Sequence, residues 1–138
     1  MQAMVIQQVP PTFVCQVWPR ISSMLSRALE HAGGEYSLDQ LQFMLVRGEQ
    51  YLLVVEDGED IVGAASVAFQ NYPSARIAFI TAVGGKLISN QEVYGQLVDW
   101  CKANGCTKIR GAARESIARL WKQKFGFEQR YIIVEQQL

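Results

Sequence analysis

Five cations, Arg110, Arg114, Arg119, Lys122 and Lys124, fall within fifteen residues of this 138-residue chain. Such a run can hold a nucleic acid or an acidic protein surface electrostatically. The competing reading is the solvated face of a helix, and it is preferred. Thirteen basic residues are balanced by thirteen acidic ones, so net charge gives no pull toward nucleic acid or an anionic membrane. The other chemistry-bearing residues are few. Cys15, Cys101 and Cys106 are an odd set without framework spacing, which points to a reducing compartment and away from disulfides or zinc. His31 is the only histidine, near the end of an expected helix, so a Ser-His-Asp hydrolase is not expected. Trp18, Trp100 and Trp121 are too dispersed for a base-stacking platform and read as core anchors.

These side chains must be positioned by a chain that is 49% hydrophobic and 19% charged, a globular composition sized for one domain, residues 1–138. No stretch approaches eighteen continuous apolar residues, and the first residues lack the basic start of a signal peptide, so a cytoplasmic protein is expected. A short strand over 4–9 ends at Pro10-Pro11. A helix follows with Pro19 in its first turn and Ile21, Met24, Leu25, Ala28 and Leu29 on one face. Ser37 caps a second helix closed by Gly48. Residues 51–57, 61–70 and 75–85 then read as an antiparallel meander, with Asp57-Gly58 and "NYPS" as turns. A helix capped by Ser89 or Asn90 and stopped at Asn104-Gly105 leads to a short strand over 107–113. A last helix, stopped at Gly126, leads to a final strand over 128–136. The order β-α-α-β-β-β-α-β-α-β predicts an α/β fold, a mixed central sheet with helices on both faces.

That order resembles the GNAT (Gcn5-related N-acetyltransferase) superfamily along nearly the whole chain. The most specific local likeness is "RESIARLWKQKFGFEQR", which is similar to the late helix and turn of that family, ending in Phe125-Gly126-Phe127. "GEQYLLVVEDGEDIVGAASVAF" resembles the family's central hairpin, with Gly63 in place. The resemblance implies a single-domain acyl-CoA N-acyltransferase fold. It implies that acetyl-CoA lies where strand 75–83 splays from strand 107–113, its phosphates on the loop Gly84 to Gln91 and the following helix. Ala82, Val83, Gly84, Gly85, Lys86, Asn90, Gln91, Gly95 and Glu115 are the implied cofactor contacts. No metal is implied.

The chain departs from the family pattern in two places. In the phosphate-loop match Asn90-Gln91-Glu92-Val93-Tyr94-Gly95 only Gly95 fits, and Glu92 places negative charge where phosphate docks. Gly84-Gly85-Lys86 is the alternative phosphate contact, through close backbone approach and one cation, against the plainer reading of a strand-ending turn. The family's reprotonating Tyr falls at Lys122, which would need a depressed pKa to donate a proton. The family's Asn near the start of the helix falls at Glu115, with Ser116 beside it. Tyr131 on the final strand is a further catalytic candidate that could point into the cleft, against the reading of a half-buried strand tyrosine.

No carboxylate lies on strand 75–83, where Thr81 carries the only hydroxyl; Glu56 and Asp99 read as a turn residue and a solvated helix face. The first functional reading is thus an acetyl-CoA-dependent N-acetyltransferase, moving acetyl to a small-molecule or protein amine by direct attack in a ternary complex. The second is a catalytically inactive binding or structural module on the same fold, similar to degenerate phage-encoded relatives. In either case the final strand offers a route to a homodimer.

Overall fold

The computed structural model describes residues 3–31, 34–87 and 90–138. Five strands form one sheet whose spatial order follows the chain: β1 (Val5–Val9), β2 (Tyr51–Asp57), β3 (Asp60–Tyr72), β4 (Ala75–Gly85) and β5 (Lys108–Gly111). The first four are antiparallel neighbours, and β5 lies parallel to β4. The meander arises from two tight turns, Gly58-Glu59 and Pro73-Ser74. The switch to a parallel partner needs a helical crossover, which α3 (Gln91–Ala103) supplies.

Pro10 and Pro11 end β1, and a 3-10 turn over Pro11–Phe13 leads into α1 (Val14–Glu30). The helix starts earlier than Pro19 suggests, so Pro19 lies inside it. Its missing N–H leaves the Cys15 carbonyl without a helical partner, near a helix start where Cys15 is exposed. In α2 (Leu38–Val46) the Ser37 hydroxyl accepts from the Gln40 amide, and the Gln40 side chain accepts from the Ser37 amide. Asn90 caps α3, while Ser89, the other expected cap, lies outside the described residues. α4 (Glu115–Phe125) ends at Gly126, whose φ of 76° suits glycine at a left-handed helix stop.

The sheet is covered on both faces, as expected. Ile21 and Leu25 of α1 and Leu41 and Leu45 of α2 pack on Leu52, Val54 and Ala64. On the opposite face Val93, Leu97 and Cys101 of α3 pack on Leu53, Val55, Ala65, Val67, Ala78 and Ile80, joined by Trp121 and Phe125 of α4. Twenty-two apolar residues are buried among the described residues, and each buried Val, Leu or Ile contributes roughly 1.5–3 kcal/mol, the main favourable term in this fold.

The expected final strand over 128–136 is absent. Residues 126–138 form no regular element, and Tyr131, Ile132, Ile133 and Val134 are exposed. An apolar β-branched run reports only that a segment suits a pleated, half-buried surface. It becomes a strand when a neighbouring backbone completes the ladder, and no segment among the described residues does so here.

Candidate functional site

β4 carries the feature that opens a site. Its pairing with β5 runs only from Ile77 to Ile80, against Lys108 to Gly111, although β4 continues to Gly85. Among the described residues, the backbone of Thr81 to Gly85 therefore has no strand on its β5 side. Pairing with β3 shifts at the same place: Val67 lies opposite Ile80 and Ser66 opposite Ala82, so Thr81 is the extra residue of a bulge. The bulge inverts the side-chain pattern. Ala78 and Ile80 face α3, whereas Ala82 packs with α1 and α2. A bulge that ends pairing and re-aims the chain is a recurrent device beside binding sites.

Three polar side chains hold the bulge. Thr81 donates its hydroxyl to Gln50 Oε1 at 2.5 Å and lies 2.6 Å from the Ser66 hydroxyl, which donates to it. Gln50 and Ser66 are buried, and no buried side-chain N or O among the described residues lacks a partner. Sequence reasoning noted Thr81 only as a hydroxyl and missed Gln50 and Ser66. The available signal was a polar residue inside each of two largely apolar strands, Ser66 in β3 and Thr81 in β4, whereas Gln50 just precedes β2.

Close packing frames the open stretch. A Cβ on Gly84 would lie 2.7 Å from the Met24 carbonyl of α1, and one on Gly111 would lie 3.1 Å from the Trp121 ring. Gly85, at φ 68°, leaves no room for a side chain either, since a Cβ would stand 2.3 Å from the Val62 carbonyl. The Lys86 amide donates to that carbonyl at 2.9 Å, while its side chain is exposed. The first turn of α3 meets the last turn of α4: Gln91 Nε2 donates to the Lys124 carbonyl at 2.6 Å, and Tyr94 stacks on Phe125 at 4.1 Å.

The cofactor candidates divide. Ala82, Val83, Gly84, Gly85 and Lys86 form the open stretch and its end, and Asn90 and Gln91 open α3. Gly95 is exposed on α3, and a methyl placed there would meet nothing within 4 Å. Asn90 Oδ1 accepts from the Glu92 and Val93 amides at 2.8 and 3.3 Å, so two N–H groups that an anion would use are already engaged. Glu115 is exposed and pairs with Arg119 at 3.4 Å.

The catalytic candidates are not brought together. Ser116 and Lys122 are exposed on α4, and the Lys122 carbonyl accepts the Gly126 amide at 3.0 Å. Tyr131 lies on the unpaired segment rather than on a strand, its hydroxyl 3.4 Å from Arg110 Nη1 on β5. Burial pushes the Cys101 thiol up to about 12, with Cys106 adding to the effect. Burial also raises Cys106, opposed by the Arg76 guanidinium. Neither is a thiolate at neutral pH. The Tyr94 hydroxyl is likewise raised by burial and then by Cys101. An open depression lined by Ala3, Val5, Gln7, Glu56 and Gly58 lies at the β1–β2 edge, with β3 between it and β4. It contains none of these candidates, and the unpaired strand is the better guide to a site.

No family model and no curated relative matches the sequence. Solved structures do match. A ribosomal-protein-alanine N-acetyltransferase from Brucella melitensis superposes with a TM-score of 0.70 at 14% identity, covering 98% of this chain and 99% of that one. Aminoglycoside N-acetyltransferase AAC(6')-Iy, solved with CoA, gives 0.69 at 12% identity over 100% and 96%. A Bacillus halodurans protein described as a transcriptional regulator gives 0.64 at 21% identity over 99% and 100%. Full-length superposition at these scores fixes architecture rather than activity. The chain has the GNAT acyl-CoA N-acyltransferase fold.

Proposed function

We propose that this protein is an acetyl-CoA-dependent N-acetyltransferase that uses the open edge of β4. The observation that carries the reading is the coincidence at one point of the Thr81 bulge and the end of β4–β5 pairing. Unpaired strand groups can take an extended amide-bearing arm as though it were a further strand. Backbone N–H and C=O groups of Ala82 to Gly85 hold the pantetheine arm, and Lys86 with the start of α3 meets the phosphates. Bound acetyl-CoA supplies an activated acyl thioester. Direct transfer in a ternary complex would form an amide bond between an acceptor amine, small molecule or protein, and the acetyl carbon while the C–S bond breaks, the amine's proton passing to solvent and CoA leaving as a thiolate that takes up a proton. Lys122 is the candidate to return a proton to the leaving sulfur, with Ser116 and Tyr131 as further catalytic candidates.

Titration calorimetry with acetyl-CoA and with CoA tests this reading. Saturable binding to the wild type is expected. Gly95→Glu and Lys86→Glu should each weaken it at least tenfold with unchanged circular dichroism, because both positions are exposed and tolerate the new side chain.

A second reading, a binding module without catalysis, has its own support. Asn90 occupies the Glu92 and Val93 amides, Glu92 adds negative charge in the first turn, and β4 carries no carboxylate. A folded sample that binds neither acetyl-CoA nor CoA selects the module.

A further inference from the structure

We propose that Cys101 and Cys106 are a redox-modification site: a small-molecule disulfide of the glutathione class oxidises them to an intramolecular disulfide that staples the end of α3 to the approach to β5. The helix stop brings the two together. Gly105, at φ 81°, donates its amide to the Lys102 carbonyl at 2.9 Å, and the Cys106 amide donates to the Cys101 carbonyl at 3.0 Å. These are the paired bonds of a Schellman stop, which turns the chain back so that side chains at these two positions meet. With ordinary backbone bond lengths, the second bond keeps the Cα atoms of the two cysteines within about 7 Å, the reach of one disulfide. Both thiols are free, and both belong to the core beneath α3. The Cys101 thiol also feels Cys106 through space, as near neighbours do. Sequence spacing hides the pair, because its four intervening residues match no redox motif until a left-handed glycine folds them back.

The two thiols are not equivalent. Arg76 is fixed at the same stop: its Nε donates to the Asn104 carbonyl at 2.8 Å, and its own carbonyl accepts the Thr107 amide at 2.9 Å. From there its guanidinium hydrogen-bonds the Cys106 sulfur and favours the thiolate, against the burial that opposes it. Burial and Cys106 act on Cys101, and both oppose its ionisation. Cys106 is therefore the attacking thiol, reached when the 104–107 turn opens locally. Its thiolate attacks one sulfur of oxidised glutathione, forming a mixed disulfide and expelling a glutathione thiolate, which takes up a proton. Cys101 then loses its proton to solvent, and its sulfur attacks the Cys106 sulfur. The second glutathione leaves as a thiolate and is protonated. Two S–H bonds of the chain and one external S–S bond become one internal S–S bond and two glutathione thiols.

The test uses the full chain carrying Cys15→Ser, which removes the exposed third thiol. The reduced chain is unfolded in urea, then either refolded by dilution or kept in urea. Both arms are equilibrated in the same series of oxidised glutathione levels, with reduced glutathione held constant. Samples are quenched in acid and weighed by mass spectrometry, where a bridged chain has lost two hydrogens and a glutathione adduct is far heavier. The refolded chain is expected to be half bridged at least tenfold lower in oxidised glutathione than the chain in urea, with the circular dichroism of the reduced protein. An equal or higher requirement in the refolded chain overturns the proposal, because folding then does not favour the bridge. Glutathione adducts alone, a link between two chains, or a bridge that costs the native circular dichroism overturns it equally. With Cys101→Ser or Cys106→Ser added in turn, the faster glutathione adduct on the folded chain is expected at Cys106. A faster adduct at Cys101 overturns the assigned attack.

Discussion

Gly84 and Gly95 are both proposed cofactor contacts, and they differ in what surrounds them. At Gly84 a methyl would press on the α1 backbone at the Met24 carbonyl, 2.7 Å away. Backbone cannot swing aside as a side chain can. Gly84→Ala is expected to lower stability by about 1–3 kcal/mol, the usual cost of overpacking, measured by urea denaturation. At Gly95 a methyl meets nothing within 4 Å, and the residue sits in a helix. Gly95→Ala is expected to raise stability by up to about 1 kcal/mol in the same assay, because alanine loses less backbone entropy there. A parallel gain in stability and loss of CoA affinity in Gly95→Ala would mark the helix face as one kept bare for a ligand. Unchanged affinity would leave Gly95 without a role in binding.

At the scale of elements the proposed site rests on the bulge in β4. Thr81 links β3, β4 and Gln50 through its hydroxyl. Thr81→Val keeps the shape and removes that hydroxyl, leaving Gln50 and Ser66 buried with a bond missing. A loss of about 1–3 kcal/mol is expected, together with weaker CoA binding if the bulge holds β4 away from β5. Stability loss with unaltered binding would separate the network from the site. The meander, the Ser37 cap and the Gly126 stop were legible in the sequence because each is specified locally, by alternation, a capping residue or a glycine. The bulge was not, because it exists only in the register between Ser66 and Val67 and their partners on β4. The start of α1 was misplaced for a related reason. Pro19 signals a first turn when read alone, but the Pro10-Pro11 step had already set the helix going at Val14. Residues 128–136 carry a strand pattern, and whether it pairs depends on an edge that the pattern itself does not contain.

At the scale of the molecule, the two buried thiols connect the α3 core to pH. Cys101 lies on α3 in the core, and its thiol is held up to about 12, while Cys106 beyond the helix end is also raised. In the unfolded chain a thiol ionises near pH 8.5. Below that pH both states hold the proton and the thiol adds no pH dependence. Above it the unfolded chain releases the proton while the folded chain retains it. Stability therefore falls as pH rises from about 8.5 toward 12, since the unfolded state binds fewer protons across that window. Lysines and tyrosines also titrate there, so the informative quantity is a difference. Cys101→Ala removes one thiol and leaves a small cavity, which lowers stability at every pH. Wild type is expected to lead this variant clearly at pH 8 and by a smaller margin at pH 10.5, measured by urea denaturation under reducing conditions. Margins equal at the two pH values would mean that Cys101 ionises no differently in the folded chain. Thiol labelling supplies an independent check. Cys15 is exposed and should react readily at pH 8, whereas Cys101 and Cys106 should react only at the rate at which the core opens.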